Sequence, residues 1–169
     1  ADSTLGTTAA PTMHGMPPPL ARCIREHGDR LFASVSLNAT RSGITVYMDR
    51  LYYSETGEVE YWGTDDNPQY IDVTSAAEEA PITGLLSQWG RLYIHFPKGI
   101  YTLRGYSSAL GWQVERVWDG DGCGWLNTLC ASDYGQVYAT KHGVMLFDGS
   151  EARIISDDLG TLVDFASDF

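Results

Sequence analysis

Short runs of alternating apolar and polar residues, each closed by a glycine, recur along the chain. Asp49-Arg-Leu-Tyr-Tyr-Ser-Glu-Thr-Gly57 leads into Glu58-Val-Glu-Tyr-Trp-Gly63. Gly90-Arg-Leu-Tyr-Ile-His-Phe-Pro-Lys-Gly99 leads into Ile100-Tyr-Thr-Leu-Arg-Gly105. Gly135-Gln-Val-Tyr-Ala-Thr-Lys-His-Gly143 leads into Val144-Met-Leu-Phe-Asp-Gly149. Period-two alternation over four to six residues is the signature of a half-buried strand. A glycine at the end of each run supplies the positive φ that a tight hairpin demands. Strands are predicted at Leu51–Ser54, Leu92–Phe96 and Val137–Thr140, with returning strands at Glu58–Trp62, Ile100–Leu103 and Val144–Phe147. Further strands are predicted at Ile82–Ser87, Leu126–Ala131 and Gln113–Val117, and Asp29-Arg-Leu-Phe-Ala33 repeats the first half of the pattern. No segment has the 3.6-residue period of a long helix; Ser75–Ala80 suits a single turn.

The pattern begins at Asp49, Gly90 and Gly135, at intervals of 41 and 45 residues. Four-stranded propeller blades recur at roughly 40–50 residues. The expected fold is therefore all-β: a β-propeller or partial propeller of about three four-stranded antiparallel blades, spanning residues 21–169. A β-sandwich or another barrel with similar hairpins is the alternative. A closed propeller needs about four blades or more, so completion by further residues or by another chain is expected. Residues 1–20 contain Pro11 and the run Pro17-Pro-Pro19, which lack ladder donors. They are read as an extended Pro-rich arm or linker.

Composition agrees with short hairpins: 18 glycines, 10 tyrosines and 5 tryptophans in 169 residues. The formal net charge of −11, with Lys98 and Lys141 as the lysines beside nine arginines, disfavours specific binding to nucleic acid. An acid-lined channel past which DNA slides without sticking is compatible with that charge. No apolar run reaches the length of a membrane span. Cys23, Cys123 and Cys130 are an odd set without metal-ligand spacing and are read as free thiols, with a Cys123–Cys130 bridge as the alternative.

Several motifs invite chemistry and none assembles a site. Asp119-Gly-Asp-Gly-Cys-Gly124 has calcium-loop rhythm, but Cys123 and Cys130 stand where a calcium loop needs oxygen ligands, so a glycine-rich turn is expected. His14, His27, His95 and His142 lack zinc-helix spacing. Asp65-Asp66, Glu78-Glu79 and Asp157-Asp158 are adjacent acids, whose side chains point apart on a strand or into solvent in a loop. Trp62, Trp89, Trp112, Trp118 and Trp125 suit either a sugar-stacking platform or packing. No catalytic, cofactor-binding or metal-binding residue is assigned, and an enzyme is not expected.

The order of these pieces resembles the propeller proteins of the tail nozzle, or of the hub below the portal, in short-tailed double-stranded-DNA phages. The resemblance runs from about Pro17 to Leu159. It rests on the Pro-rich entry before Arg22, His27-Gly-Asp-Arg-Leu-Phe32, Arg50-Leu-Tyr-Tyr-Ser54 with Gly57 and Tyr61-Trp62, then Asp72-Val73 and Ile82-Thr-Gly-Leu85. It continues with Arg91-Leu-Tyr-Ile94, Gly99-Ile-Tyr-Thr-Leu-Arg-Gly105, Gly122-Cys123 and Gly143-Val-Met-Leu-Phe-Asp-Gly149. The resemblance implies a virion structural protein of a phage tail or head-to-tail connector, assembled in the host cytoplasm. It implies a homo-oligomeric ring, often of six copies, around the DNA exit channel, with other tail proteins as partners. It brings no catalytic residues, and members of that family are usually far longer. A carbohydrate- or receptor-binding propeller is the alternative function, and a glycoside hydrolase ranks below it.

Overall fold

The computed structural model describes residues 20–41, 44–64, 67–73, 80–105 and 111–156. In chain order the strands are β1 (Ala21–His27), β2 (Arg30–Val35), β3 (Ala39–Arg41), β4 (Ile44–Val46), β5 (Arg50–Tyr53), β6 (Gly63–Thr64), β7 (Asn67–Pro68) and β8 (Tyr70–Asp72). They continue as β9 (Gly84–Gln88), β10 (Arg91–Phe96), β11 (Gly99–Arg104), β12 (Gln113–Trp118), β13 (Cys130–Ser132), β14 (Gly135–Thr140), β15 (Gly143–Phe147) and β16 (Ala152–Ile154). One 3₁₀ turn, Leu126–Thr128, is the helical element among the described residues. The strands form three four-stranded antiparallel sheets: sheet I in the order β1-β2-β5-β8, sheet II β9-β10-β11-β12 and sheet III β13-β14-β15-β16. Two small hairpins, β3-β4 and β6-β7, are inserted in sheet I.

Each sheet begins with a tight hairpin. His27 pairs with Arg30 around Gly28-Asp29, and Gln88 pairs with Arg91 around Trp89-Gly90. All four turn residues have positive φ, the mirror-image turn whose twist suits paired strands. Asp29 tolerates this backbone; Trp89, at φ 51°, is strained. Its ring is held edge-on against Tyr93 at 5.9 Å and lies over Gly149 in the turn between β15 and β16.

The sheets stack face to face in sequence order. On β10, Leu92, Ile94 and Phe96 join Phe32, Leu51 and Tyr53 in the core between sheets I and II. The other face of sheet II gives Tyr93 and Ile100 to a second core with Tyr138, Met145 and Phe147 of sheet III. A third core fills the outer face of sheet I, where Val46 and Trp62 cover Ala33, Val35 and Tyr52. The first strands stand side by side. Arg25 Nε donates to Leu85 O at 3.2 Å, and Gln88 Nε2 donates to Ser132 O at 2.9 Å.

Three expectations need correction. Glu58–Trp62 is not a returning strand: it turns back through a Glu55–Glu58 bridge, and Trp62 donates from Nε1 to Val59 O while its ring caps sheet I. Leu126–Ala131 splits into the 3₁₀ turn and β13, because Thr128 Oγ1 ties back to Trp125 O at 2.7 Å. The three patterned runs are also not equivalent. Arg50–Tyr53 is the third strand of its sheet, whereas Arg91–Phe96 and Gly135–Thr140 are second strands. The counterpart in sheet I is Arg30–Val35, so the near-constant spacing was partly accidental. The arm expected over 1–20 lies, apart from Leu20, outside the described residues, as do residues 75–79 of the single turn and residues 157–169.

Candidate functional site

The densest polar chemistry lies in the seam between sheets II and III. Alternation on β10 sends His95 to the same face as Tyr93, and β14 meets it with Gln136 and Tyr138. His95 is wholly buried, with Nε2 2.7 Å from Gln136 Oε1. An amide oxygen only accepts, so Nε2 carries the proton, and Nδ1 is buried without a partner. The Tyr138 ring stands edge-on to the imidazole at 5.1 Å, and its hydroxyl donates to Asp121 O at 3.0 Å. Burial holds His95 down to a pKa of about 4, against the smaller opposing effect of Gln136. Burial pushes the Tyr138 and Cys123 protons the other way, far from release. The seam is a buried, neutral contact that joins the two sheets.

At one end of the seam the stitching opens into a cleft. Asp121–Trp125 runs between the β10–β11 and β14–β15 turns. Gly122 N donates to Pro97 O at 3.1 Å, and Gly124 N donates to Ala139 O at 2.9 Å. A Cβ at Gly122 would collide with the carbonyls of Phe96 and Gly99, so the approach requires glycine. The cleft holds about 210 Å³ and is lined by Pro97, Lys98, Asp121, Trp125, Thr140 and Lys141, among others. His142 Nε2 lies 3.4 Å from Asp121 Oδ2 at its rim.

In sheet I, Arg30 is buried across the base of the hairpin. Its Nη1 donates to Ser54 O at 2.8 Å, and Nη2 reaches Glu55 Oε1 at 3.3 Å. The guanidinium lies over Tyr53 and Trp112, 5.5 and 5.7 Å from their centroids. Hydrogen bonds from Gln69 and from the Thr56 amide, with Arg30 behind them, hold the Glu55 carboxyl below its usual range. Arg30 Nε, Gln69 Oε1 and Trp112 Nε1 in this cluster are buried without a hydrogen-bond partner.

The residues singled out in the sequence do not converge. Asp65-Asp66, Glu78-Glu79 and Asp157-Asp158 all lie outside the described residues, as does His14. Asp119 pairs with Arg116 at 2.7 Å while Asp121 faces His142, so the two acids of the glycine-rich loop point to different partners. Among the described residues no group of three or more His, Cys, Asp or Glu is placed to hold a metal. All three cysteines are free; Cys23 and Cys123 are buried and Cys130 is exposed. The tryptophans make no common platform: Trp62 and Trp112 pack in cores, Trp89 caps a turn, Trp118 donates to Asp121 O, and Trp125 alone lines the cleft. The charges on the described first strands are Arg22, Arg25 and Glu26 on β1, so those strands are not acid-lined. Sequence reasoning passed over Lys98 and Lys141 as a pair; their placement in equivalent turns of neighbouring repeats was the available signal.

The fold is thus that of an all-β protein built from stacked four-stranded antiparallel meanders, with its polar chemistry at the seams. No family model matches the chain, and no curated protein matches its sequence. Among solved structures it is similar to the extracellular domain assigned to the hybrid two-component system BT4673 of B. thetaiotaomicron, at 11% identity and a TM-score of 0.45. A second structure of the BT4673 extracellular domain, described as that of a one-component system, aligns at 12% identity with a TM-score of 0.43. Each alignment covers 82% of this chain and 22% of the other, so the chain spans about a fifth of the length of those proteins.

Proposed function

We propose that the three sheets are blades of an open propeller-type arc, and that the chain is a non-catalytic assembly module, a structural protein of a phage tail or head-to-tail connector. Support for the arc comes from the first strands, which stand side by side while the faces behind them stack in order. The viral reading rests on the order of sequence motifs; the comparisons name no viral protein.

One observation carries the assembly reading: among the described residues, the two ends of the stack are finished differently. The outer face of sheet I is covered by Val46 and Trp62 of its own insertions. The outer face of sheet III carries Val137, Ala139 and Val144, half-buried, and Leu146, buried, and among the described residues none of them belongs to a core cluster. On the segments that cap sheet I, Leu37, Tyr47 and Val59 are exposed. Copies would meet head to tail, sheet III of one against the cap of the next, and such a contact closes into a ring when its rotation permits.

Light scattering across a concentration series tests this. The expected result is one closed oligomer, with a central channel wide enough for duplex DNA in electron micrographs. Val144→Glu and Tyr47→Glu should each give monomers, and an equimolar mixture of the two should give dimers, since each retains one intact face. A wild-type chain that stays monomeric at every concentration would overturn the ring.

A further inference from the structure

We propose that the cleft between the β10–β11 and β14–β15 turns binds a sugar residue bearing a carboxylate, such as a uronic or sialic acid. The inference is independent of the ring-assembly reading, because it concerns the ends of the sheets rather than their outer faces.

Charge placement points there first. The chain has a formal net charge of −11 and two lysines, and both lysines line this one cleft. They arrive from different sheets: Lys98 from the Pro97-Lys98 turn and Lys141 from the Lys141-His142 turn. Both are exposed, and neither has a carboxylate partner among the ion pairs of the described residues. Asp121, the acid in the lining, is turned toward His142. Two ammonium groups from converging turns favour an anion between them.

The lining selects the kind of anion. Trp125 and Pro97 give the cleft an apolar wall, and Trp125 is half-buried there. Ring C–H groups of a pyranose pack against such a wall, while Asp121 offers an acceptor to a sugar hydroxyl. A volume of about 210 Å³ is below the usual range for drug-sized ligands, and suits one ring rather than a chain. The floor is already in place: the Gly122 and Gly124 amides are tied to Pro97 and Ala139, and the Cys123 thiol donates to Trp125 O at 3.1 Å. Little ordering remains to oppose binding.

Isothermal titration of the intact chain with glucuronic acid, N-acetylneuraminic acid, glucose and sodium sulfate tests the assignment. The expected result is saturable binding of one or both acid sugars, and binding of neither glucose nor sulfate at the same concentrations. Lys98→Ala/Lys141→Ala should weaken acid-sugar binding by about tenfold or more. Trp125→Phe should retain more of the binding than Trp125→Ala. Both lysines are exposed, so the double variant should melt as the wild type does, which separates lost binding from lost folding. Acid sugars binding no better than glucose, sulfate binding as well as the acid sugars, or an unaffected lysine double variant would each overturn the proposal.

Discussion

Acidification should loosen the seam between sheets II and III, through one side chain. His95 is wholly buried, and its pKa is held at about 4 instead of the ordinary 6.5. The unfolded chain therefore binds a proton at this position at higher pH than the folded chain does. Between pH 6.5 and 4 the unfolded state holds more protons, so stability falls as pH falls, and below 4 this contribution is flat. A depression of that size corresponds to about 3 kcal/mol, most of it lost by pH 4.5. Tyr138 and Cys123, which pack with His95 and between the same sheets, stay neutral throughout this window because burial raises both. His27 is also depressed by burial and contributes in the same direction. Urea unfolding of wild type and His95→Gln at pH 7 and pH 4.5 isolates the His95 part, since His27 and the carboxylates are common to both. The wild type should lose about 2–3 kcal/mol more than the variant between the two pH values. Equal losses in the two proteins would refute the reasoning.

Removing the buried guanidinium at residue 30 should be costly. Arg30→Ala strands Ser54 O and empties the space between Tyr53 and Trp112, and should reduce the unfolding free energy by about 3 kcal/mol in urea. Glu55→Gln, at the more exposed end of the same pair, should cost under about 1 kcal/mol; a larger loss there than at Arg30 would reverse this account of the cluster. For the cysteines, a thiol reagent such as Ellman's should label one group in the folded chain, Cys130, and three after denaturation. Labelling of Cys23 or Cys123 under native conditions would show that their cores open.

The main strands of sheets II and III were legible in the sequence, while β3, β4, β6, β7, β8 and β16, and the equivalence of the strands, were not. Alternation marked β10, β11, β12, β14 and β15 because their residues face different neighbours on either side. Matching Gln136 to Arg91 by the Leu/Val-Tyr motif, however, misplaces sheet III by one residue. In the hairpin register Arg91 follows a two-residue turn from Gln88, and Gly135 follows a two-residue turn from Ser132. The counterpart of Arg91 is therefore Gly135, and Tyr138 corresponds to Ile94 rather than to Tyr93. A one-residue slip moves every side chain to the opposite face of a sheet. That is why Tyr138 faces back into sheet II while its motif partner Tyr93 faces forward into sheet III.

The same register explains why the seam was hidden. His95 looked like an isolated mid-strand histidine, because its partner Gln136 lies 41 residues away and carries no charge or motif. In the corrected alignment the residue equivalent to Gln136 in sheet II is Leu92, an apolar core position facing sheet I. Sheet III thus replaces a core leucine with an amide at the one place where sheet II presents an imidazole. A hydrophobic pair would fill the same space without leaving Nδ1 and Gln136 Nε2 unpartnered. The polar pair therefore contributes less to stability than to matching. It fixes which sheet meets which, in a stack whose faces are otherwise interchangeably aromatic and aliphatic. Such a cost fits the proposed assembly, in which the outer faces would also have to find the right neighbour.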